Sequence, residues 1–274
     1  KLTIVRAGER EPLKITLTRD VIQVTSVKTV ELSDSYGYIR ITQFQAQTGN
    51  DFEKGLNTLK ENMTDLTGLI IDLRNNPGGV LQAAVNVADQ MIEEGLIVYT
   101  EGRAKVAQLS FSATPGDSTN GMPIIVLIDG GSASASEILA GALQDHDRAV
   151  IMGTQSFGKG SVQNVLSIGE DYGLKLTTAR YFTPNGRSIQ AQGIVPDIEV
   201  NRAKLSDEKQ QNTFRESDLT GHLSNNTVDA SNEDEDEDVN TDEARKRAML
   251  EKDFQLQEAL NLLKAIDILK ISKR

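Results

Sequence analysis

The sequence predicts a layered α/β protein, and three observations carry that reading. Two short apolar runs, GLIIDLR at 68–74 and PIIVLID at 123–129, have the length and β-branched content of strands buried on both faces. The segments after them, 80–93 and 134–143, repeat apolar residues at helical spacing. With residues 149–153 as a third strand, strand and helix alternate over about a hundred residues, a pattern that gathers loops at strand ends into a site.

The remaining elements follow in chain order. Residues 2–6 and 13–18 alternate apolar and polar positions on either side of a Gly-Glu-Arg-Glu turn, the pattern of a hairpin. Residues 36–44 read as a strand and 51–62 as a helix, while 174–181 and 198–200 supply further strands. Beyond Lys204 polar residues take over, and 231–242 reads as a solvated linker because six acidic residues stand consecutively from Glu233 to Asp238. Leu256, Leu260, Leu263, Ile266 and Leu269 then form one helical stripe, which has to bury its face against the core or against another chain.

Composition narrows the function classes. The 274 residues carry 38% hydrophobic content, enough for a substantial core, and a formal net charge of −11, which disfavours nucleic acid and anionic membrane as partners. The absence of cysteine excludes a disulfide framework, a thiolate nucleophile and a thiolate metal site. No apolar run reaches the roughly 18 residues of a membrane span, and the first residues lack the plan of a signal peptide. Because Lys1 leads directly into strand-like sequence, the chain is expected to begin inside a domain.

The chemistry is concentrated in GGSASASEILAGALQDHDRAVIMGTQSFGKG, residues 130–160, and in DLRNNPGG, residues 72–79. Three readings compete. Ser134 followed three residues on by Glu137 makes a capping box at a helix start, with small neighbours chosen for packing. GTQSFGKG fits most of a phosphate-binding loop, but Gly160 lacks the hydroxyl for magnesium, and SVQNVLSI alternates like a strand where that motif needs a helix. The third reading is a nucleophilic site: a serine hydroxyl needs a base, and the candidates are His146, His222 and Lys159. His146 falls beside Asp145 at a polar helix end and His222 in the hydrophilic tail. Lys159 stands among Phe157, Gly158, Gly160 and Val162, a setting in which an ammonium loses hydration and its pKa falls.

Taken together, SASASEILAGALQD, FGKGSVQ, DLRNNPGG and TPNGRSIQAQGIVPDI resemble the carboxyl-terminal processing, or tail-specific, proteases, serine endopeptidases with a Ser–Lys catalytic pair. The resemblance runs from Thr25 to Val200 and implies a crotonase-like α/β protease core. It assigns Ser134 as nucleophile, Lys159, 25 positions later, as general base, and Gln163 as the residue that orients the lysine. If 159–163 is one strand, positions 159, 161 and 163 share a face. Ala135 and one of Gly78 or Gly79 would supply oxyanion-hole amides, Ser132 and Ser136 would shape the backbone, and Asp145 would support structure.

The implied division is residues 1–25 as the last strands of a PDZ domain, 26–205 as the protease core, 206–242 as an acidic linker and 243–274 as an amphipathic helix able to join subunits. The resemblance further implies a periplasmic enzyme, homo-oligomeric or helped by an adaptor protein, cleaving polypeptides near disordered or nonpolar C-termini without metal or cofactor. A non-catalytic scaffold form of the same fold is the alternative it leaves open.

Overall fold

The computed structural model describes residues 1–18, 25–169, 172–203 and 249–271. The acidic run and His222 lie outside these residues, as does the whole of the predicted linker, 206–242. Strands β1 (Leu2–Ile4) and β2 (Leu13–Ile15) pair antiparallel in a sheet of their own, the hairpin that the alternation predicts.

The core begins with β3 (Val27–Glu31), β4 (Tyr36–Ile41), α1 (Thr48–Asn62), β5 (Gly68–Asp72) and α2 (Leu81–Asp89). It continues through β6 (Leu96–Gly102), β7 (Ser110–Ser112), β8 (Ile124–Ile128), α3 (Ala135–Asp145) and β9 (Val150–Gly153). Then come β10 (Ser161–Ile168), β11 (Tyr172–Phe182), β12 (Ile198–Glu199) and α4 (Phe254–Ile271). One sheet of six strands has the order β12-β9-β8-β5-β4-β3; every pairing in it is parallel except that of β3 with β4. A second, antiparallel sheet has the order β10-β11-β6-β7.

The parallel strands read as continuous apolar runs because helices cover both faces. Leu69, Ile71, Val126 and Ile128 pack with Phe52 and Leu56 of α1, Ala84 and Val87 of α2, and Leu139 and Leu143 of α3. Their strand neighbours Ile70, Ile125 and Leu127 point the other way and meet Leu256, Leu260 and Leu263 of α4. The C-terminal stripe thus spends its first half on its own core, while Leu269 stays 64% exposed.

A buried polar chain ties α4 to the sheet. Asp72, fully buried, accepts from Tyr38, Arg40 and Arg74, and Arg74 extends to Asp253 at 2.6 Å and to Gln255 at the start of α4. Burial raises the Asp253 pKa, but the hydrogen bonds and charge of Arg74 more than offset it, leaving the carboxyl below its ordinary value.

Three strands escape the sequence pattern. Strand β7 is only three residues long, and the seven-residue β6 finds its partner β11 about eighty residues later, a non-local pairing that no local periodicity announces. Helix α1 begins three residues earlier than its apolar spacing suggests, at Thr48, whose hydroxyl accepts the Gln45 amide at 2.8 Å and pairs with Ser26 Oγ.

Two outcomes follow. Leu263→Ala is expected to cost about 2–5 kcal/mol in urea unfolding, since it opens a void under α4. The stability contributed by Asp253, whose folded pKa is depressed, is complete above the ordinary carboxylate value of about 4 and is lost as pH falls through the folded value. Stability measured against pH should therefore lose part of its acid dependence in Asp253→Asn.

Candidate active site

Three neighbouring parallel strands, β5, β8 and β9, deliver three loops to one edge of the sheet. The first is the glycine turn after β5, the second the serine turn after β8, and the third the loop from β9 to Lys159. Their contacts explain why the serine turn holds three serines. Ser132 Oγ donates to Leu73 O at 2.8 Å and accepts the Asp129 amide at 3.0 Å. Ser136 Oγ donates to Asn76 O at 2.9 Å, and the Ala133 amide donates to the same oxygen at 3.0 Å. Both outer hydroxyls thus fasten the serine turn to the glycine turn, in keeping with the backbone-shaping role the resemblance implies for them.

Ser134 is held differently. It adopts φ 57° and ψ −112°, a left-handed conformation costly for a residue with a Cβ, and it immediately precedes the first residue of α3. Its residue surface is only 6% exposed. Its amide donates to Glu137 Oε2 at 2.7 Å, so the carboxylate half of the expected capping box is present. Tyr181, buried on β11, lies near the Ser134 side chain; burial raises the phenol pKa, and Ser134 partly offsets the rise.

Glu137 also reaches the lysine loop. Its Oε2 accepts the Lys159 amide at 2.9 Å, and its Oε1 accepts the Gly158 amide at 2.6 Å and the Ser156 hydroxyl at 2.6 Å. Since Ser134 N and Lys159 N share one oxygen atom, the two residues lie close together despite the 25 positions between them. Lys159 itself is half-buried.

The two glycines are not equivalent. A Cβ on Gly78 would stand 2.8 Å from Ser134 Cβ and 2.9 Å from the Ala135 amide nitrogen, so the glycine turn abuts the nucleophile turn. The Gly78 amide is already donated to Asn76 Oδ1 at 2.9 Å. The Gly79 amide has no acceptor among the described residues. Gly78 O accepts the Phe44 amide at 2.9 Å, and in a trans peptide the N–H points opposite to the C=O, so the Gly79 amide faces away from Phe44. Ala135, the first residue of α3, has no intrahelical acceptor for its own amide.

Gln163 is placed differently from the expectation. Lys159 precedes β10, so the strand alternation that would put 159, 161 and 163 on one face does not extend to the lysine; the bulge opposite Val162 and Gln163 falls at Thr178 of β11. Gln163 is exposed and makes no hydrogen bond to Lys159 among the described residues. Asp145 accepts the Asn185 amide at 2.8 Å and pairs with Arg187, and His146 Nε2 bonds Leu96 O at 2.7 Å; both tie α3 to neighbouring segments. The phosphate-loop alternative fails because Ser161–Ile168 is a strand, leaving no helix N-terminus to face a phosphate. Sequence reasoning took Glu137 for a cap alone and passed over Tyr181, for which no local motif gives a signal.

A strained serine at a helix start, with a lysine loop beside it and free amides at hand, is the arrangement of a serine-type peptidase. The chain belongs to Peptidase family S41, whose model matches residues 35–200. It is 49% identical over 225 residues to a carboxy-terminal-processing protease of Bartonella bacilliformis, covering 81% of this chain and 52% of the relative. It is 42% identical over 210 residues to a carboxyl-terminal-processing protease of Synechocystis sp., covering 75% and 48% respectively. The solved photosystem II D1 C-terminal processing protease matches with a TM-score of 0.58 at 31% identity, covering 70% of this chain and 50% of that one. The chain thus spans about half the length of the curated relatives it matches.

Gly79→Ala is expected to cost about 1–3 kcal/mol of stability by calorimetry, because the added carbon would fall 1.9 Å from Phe44 O at a φ of 146°. Gly130→Ala, whose added carbon meets nothing within 4 Å, is the matched control and should be near neutral.

Proposed function

We propose that this chain is the catalytic part of a C-terminal processing endopeptidase working by a Ser–Lys acyl-enzyme mechanism. The observation that carries the reading is the Glu137 carboxylate bound at once to the Ser134 and Lys159 amides, which juxtaposes the two reacting residues. Neutral Lys159 Nζ takes the proton from Ser134 Oγ as that oxygen attacks the scissile carbonyl carbon. The amides of Ala135 and Gly79 receive the oxyanion of the tetrahedral intermediate. Collapse breaks the C–N bond, and Lys159 returns its proton to the departing amine. Water, deprotonated by the same lysine, then attacks the ester carbon; the C–O bond to Ser134 breaks and the lysine returns that proton to Ser134 Oγ.

Gly79 is preferred over Gly78 as the second donor because the Gly78 amide is already engaged by Asn76. Apolar surface beside these loops suits a nonpolar substrate tail: Phe157 is 67% exposed next to Gly158, and Val80 is exposed next to Gly79. We read the core as crotonase-like and the β1–β2 hairpin as the end of a PDZ domain. The proposal extends to protein processing in the periplasm, with a possible adaptor. Homo-oligomerisation through α4 would have to use the exposed end that carries Ile268 and Leu269.

The test is cleavage of β-casein, without ATP or added metal, by the parent chain and by its Ser134→Ala and Lys159→Ala variants. Cleavage should fall at least about 1000-fold in both variants, as for loss of a catalytic nucleophile or base. A Lys159→Ala chain that retains the parent rate would remove lysine from the mechanism. A parent chain that folds but cleaves nothing would favour a latent or scaffold form.

A further inference from the structure

Beyond the nucleophile and its base, the structure assigns a positioning role to Glu137: its carboxylate fixes the lysine loop against the nucleophile turn and so sets the register of Ser134 and Lys159. This inference rests on the Ser–Lys reading and adds to it a residue that touches no substrate.

Glu137 sits in the first turn of α3 and is fully buried. A capping carboxylate needs only the N-cap amide as its partner. This one has four, and three come from a loop more than eighteen residues later in the chain: the Ser156 hydroxyl and the amides of Gly158 and Lys159. The donor direction at Ser156 is fixed, because Ser156 Oγ accepts the Ile194 amide at 2.7 Å and turns its own proton to Glu137. All four groups are therefore donors. A carboxylate can satisfy such a set with its two oxygens, whereas an amide offers one oxygen and turns N–H groups toward the remaining donors.

The arrangement is also divided in a telling way. Oε1 holds Ser156 and Gly158, which anchor the loop; Oε2 holds the backbone of the nucleophile and of the base together. Among the described residues the lysine loop has no other backbone tie to Ser134, although the Phe157 amide donates to Ser132 O at 3.0 Å nearby. Removing the carboxylate should therefore free Gly158 and Lys159 while leaving the outer fastening at Ser132 and Ser136 in place.

The experiment compares the parent chain with Glu137→Gln, Glu137→Asp, Ser134→Ala and Lys159→Ala in two assays. The first is casein cleavage with kcat, KM and pH profile; the second is amide hydrogen exchange at Gly158 and Lys159. A displacement of about 1 Å at a catalytic group is worth about 100-fold in rate, so Glu137→Gln should lose about that in kcat with KM little changed. Its pH profile should change shape, which a smaller folded fraction would not do. Amides 158 and 159 should exchange at least about tenfold faster while β8 remains protected, the local opening expected when a tie is cut. Glu137→Asp, one methylene shorter, should recover part of the rate.

Parent-like kcat, pH profile and exchange in Glu137→Gln, with Ser134→Ala and Lys159→Ala inactive, would overturn the inference and spare the Ser–Lys reading. Full activity in Lys159→Ala would instead overturn the Ser–Lys reading itself. If the parent chain cleaves nothing, the exchange assay still decides, since unchanged exchange at 158 and 159 in Glu137→Gln refutes the tie.

Discussion

The structure depends on the parallel adjacency of β5, β8 and β9. Leu69 pairs with Ile124 and Val126 with Ile151, so the three strands run in step and end at the same edge of the sheet. Everything with chemical potential lies in the loops that leave that edge. A strand sheet buried on both faces resists slippage because a shift of one residue would exchange the sets facing α1–α3 and α4. The sheet thus holds residues 78, 134 and 159 within reach of one another although they come from three separate crossings.

On that frame, polar satisfaction at the loops is almost complete, and the exceptions are informative. Burying an amide or hydroxyl without a partner costs on the order of 1–3 kcal/mol, so a tightly packed loop cluster has to bond what it buries. Ser132, Ser136, Asn76 and Asp129 do so: Asp129 Oδ1 accepts the amides of Asn75 and Gly131, and Asn76 Nδ2 donates to Ile41 O. Among the amides of these loops without an acceptor in the described residues are that of Gly79 and the first of α3. The amide of Ala135 is free as at any helix start, and both donors are free as the proposed oxyanion site requires before substrate arrives.

Much of this was legible in the sequence, and the part that was not has a physical cause. The runs GLIIDLR and PIIVLID and the helices α1 to α3 follow local periodicity, so their burial could be read directly. Serine and lysine motifs located the candidate chemistry for the same reason, since each is short and contiguous. Strands β3, β6 and β7 were not legible, because their pairing is decided by tertiary neighbours. The exposure of Gln163 was invisible too, because strand alternation says nothing of where the strand begins, and β10 begins at Ser161, after the lysine. The second use of Glu137 required knowing that the lysine loop folds back over α3, a fact of topology rather than of spacing.

The backbone at Ser134 shows how these features combine. A side chain at φ 57° costs about 1–3 kcal/mol, an appreciable share of the 5–15 kcal/mol by which domains are stable. Glycine would remove the cost but also the hydroxyl. The surrounding bonds therefore have to hold the turn, and they do so from both sides: the Ala133 amide to Asn76 O before it, the Ser134 amide to Glu137 within it, and Gly78 packed against its Cβ. A Cβ on Gly78 would close the same gap, so the glycine beside the serine and the strain at the serine are two sides of one constraint. The turn keeps its shape only where the neighbouring loop is small enough to approach and polar enough to bond, which is why the chemistry of this chain resides in three loops together and in no one of them alone.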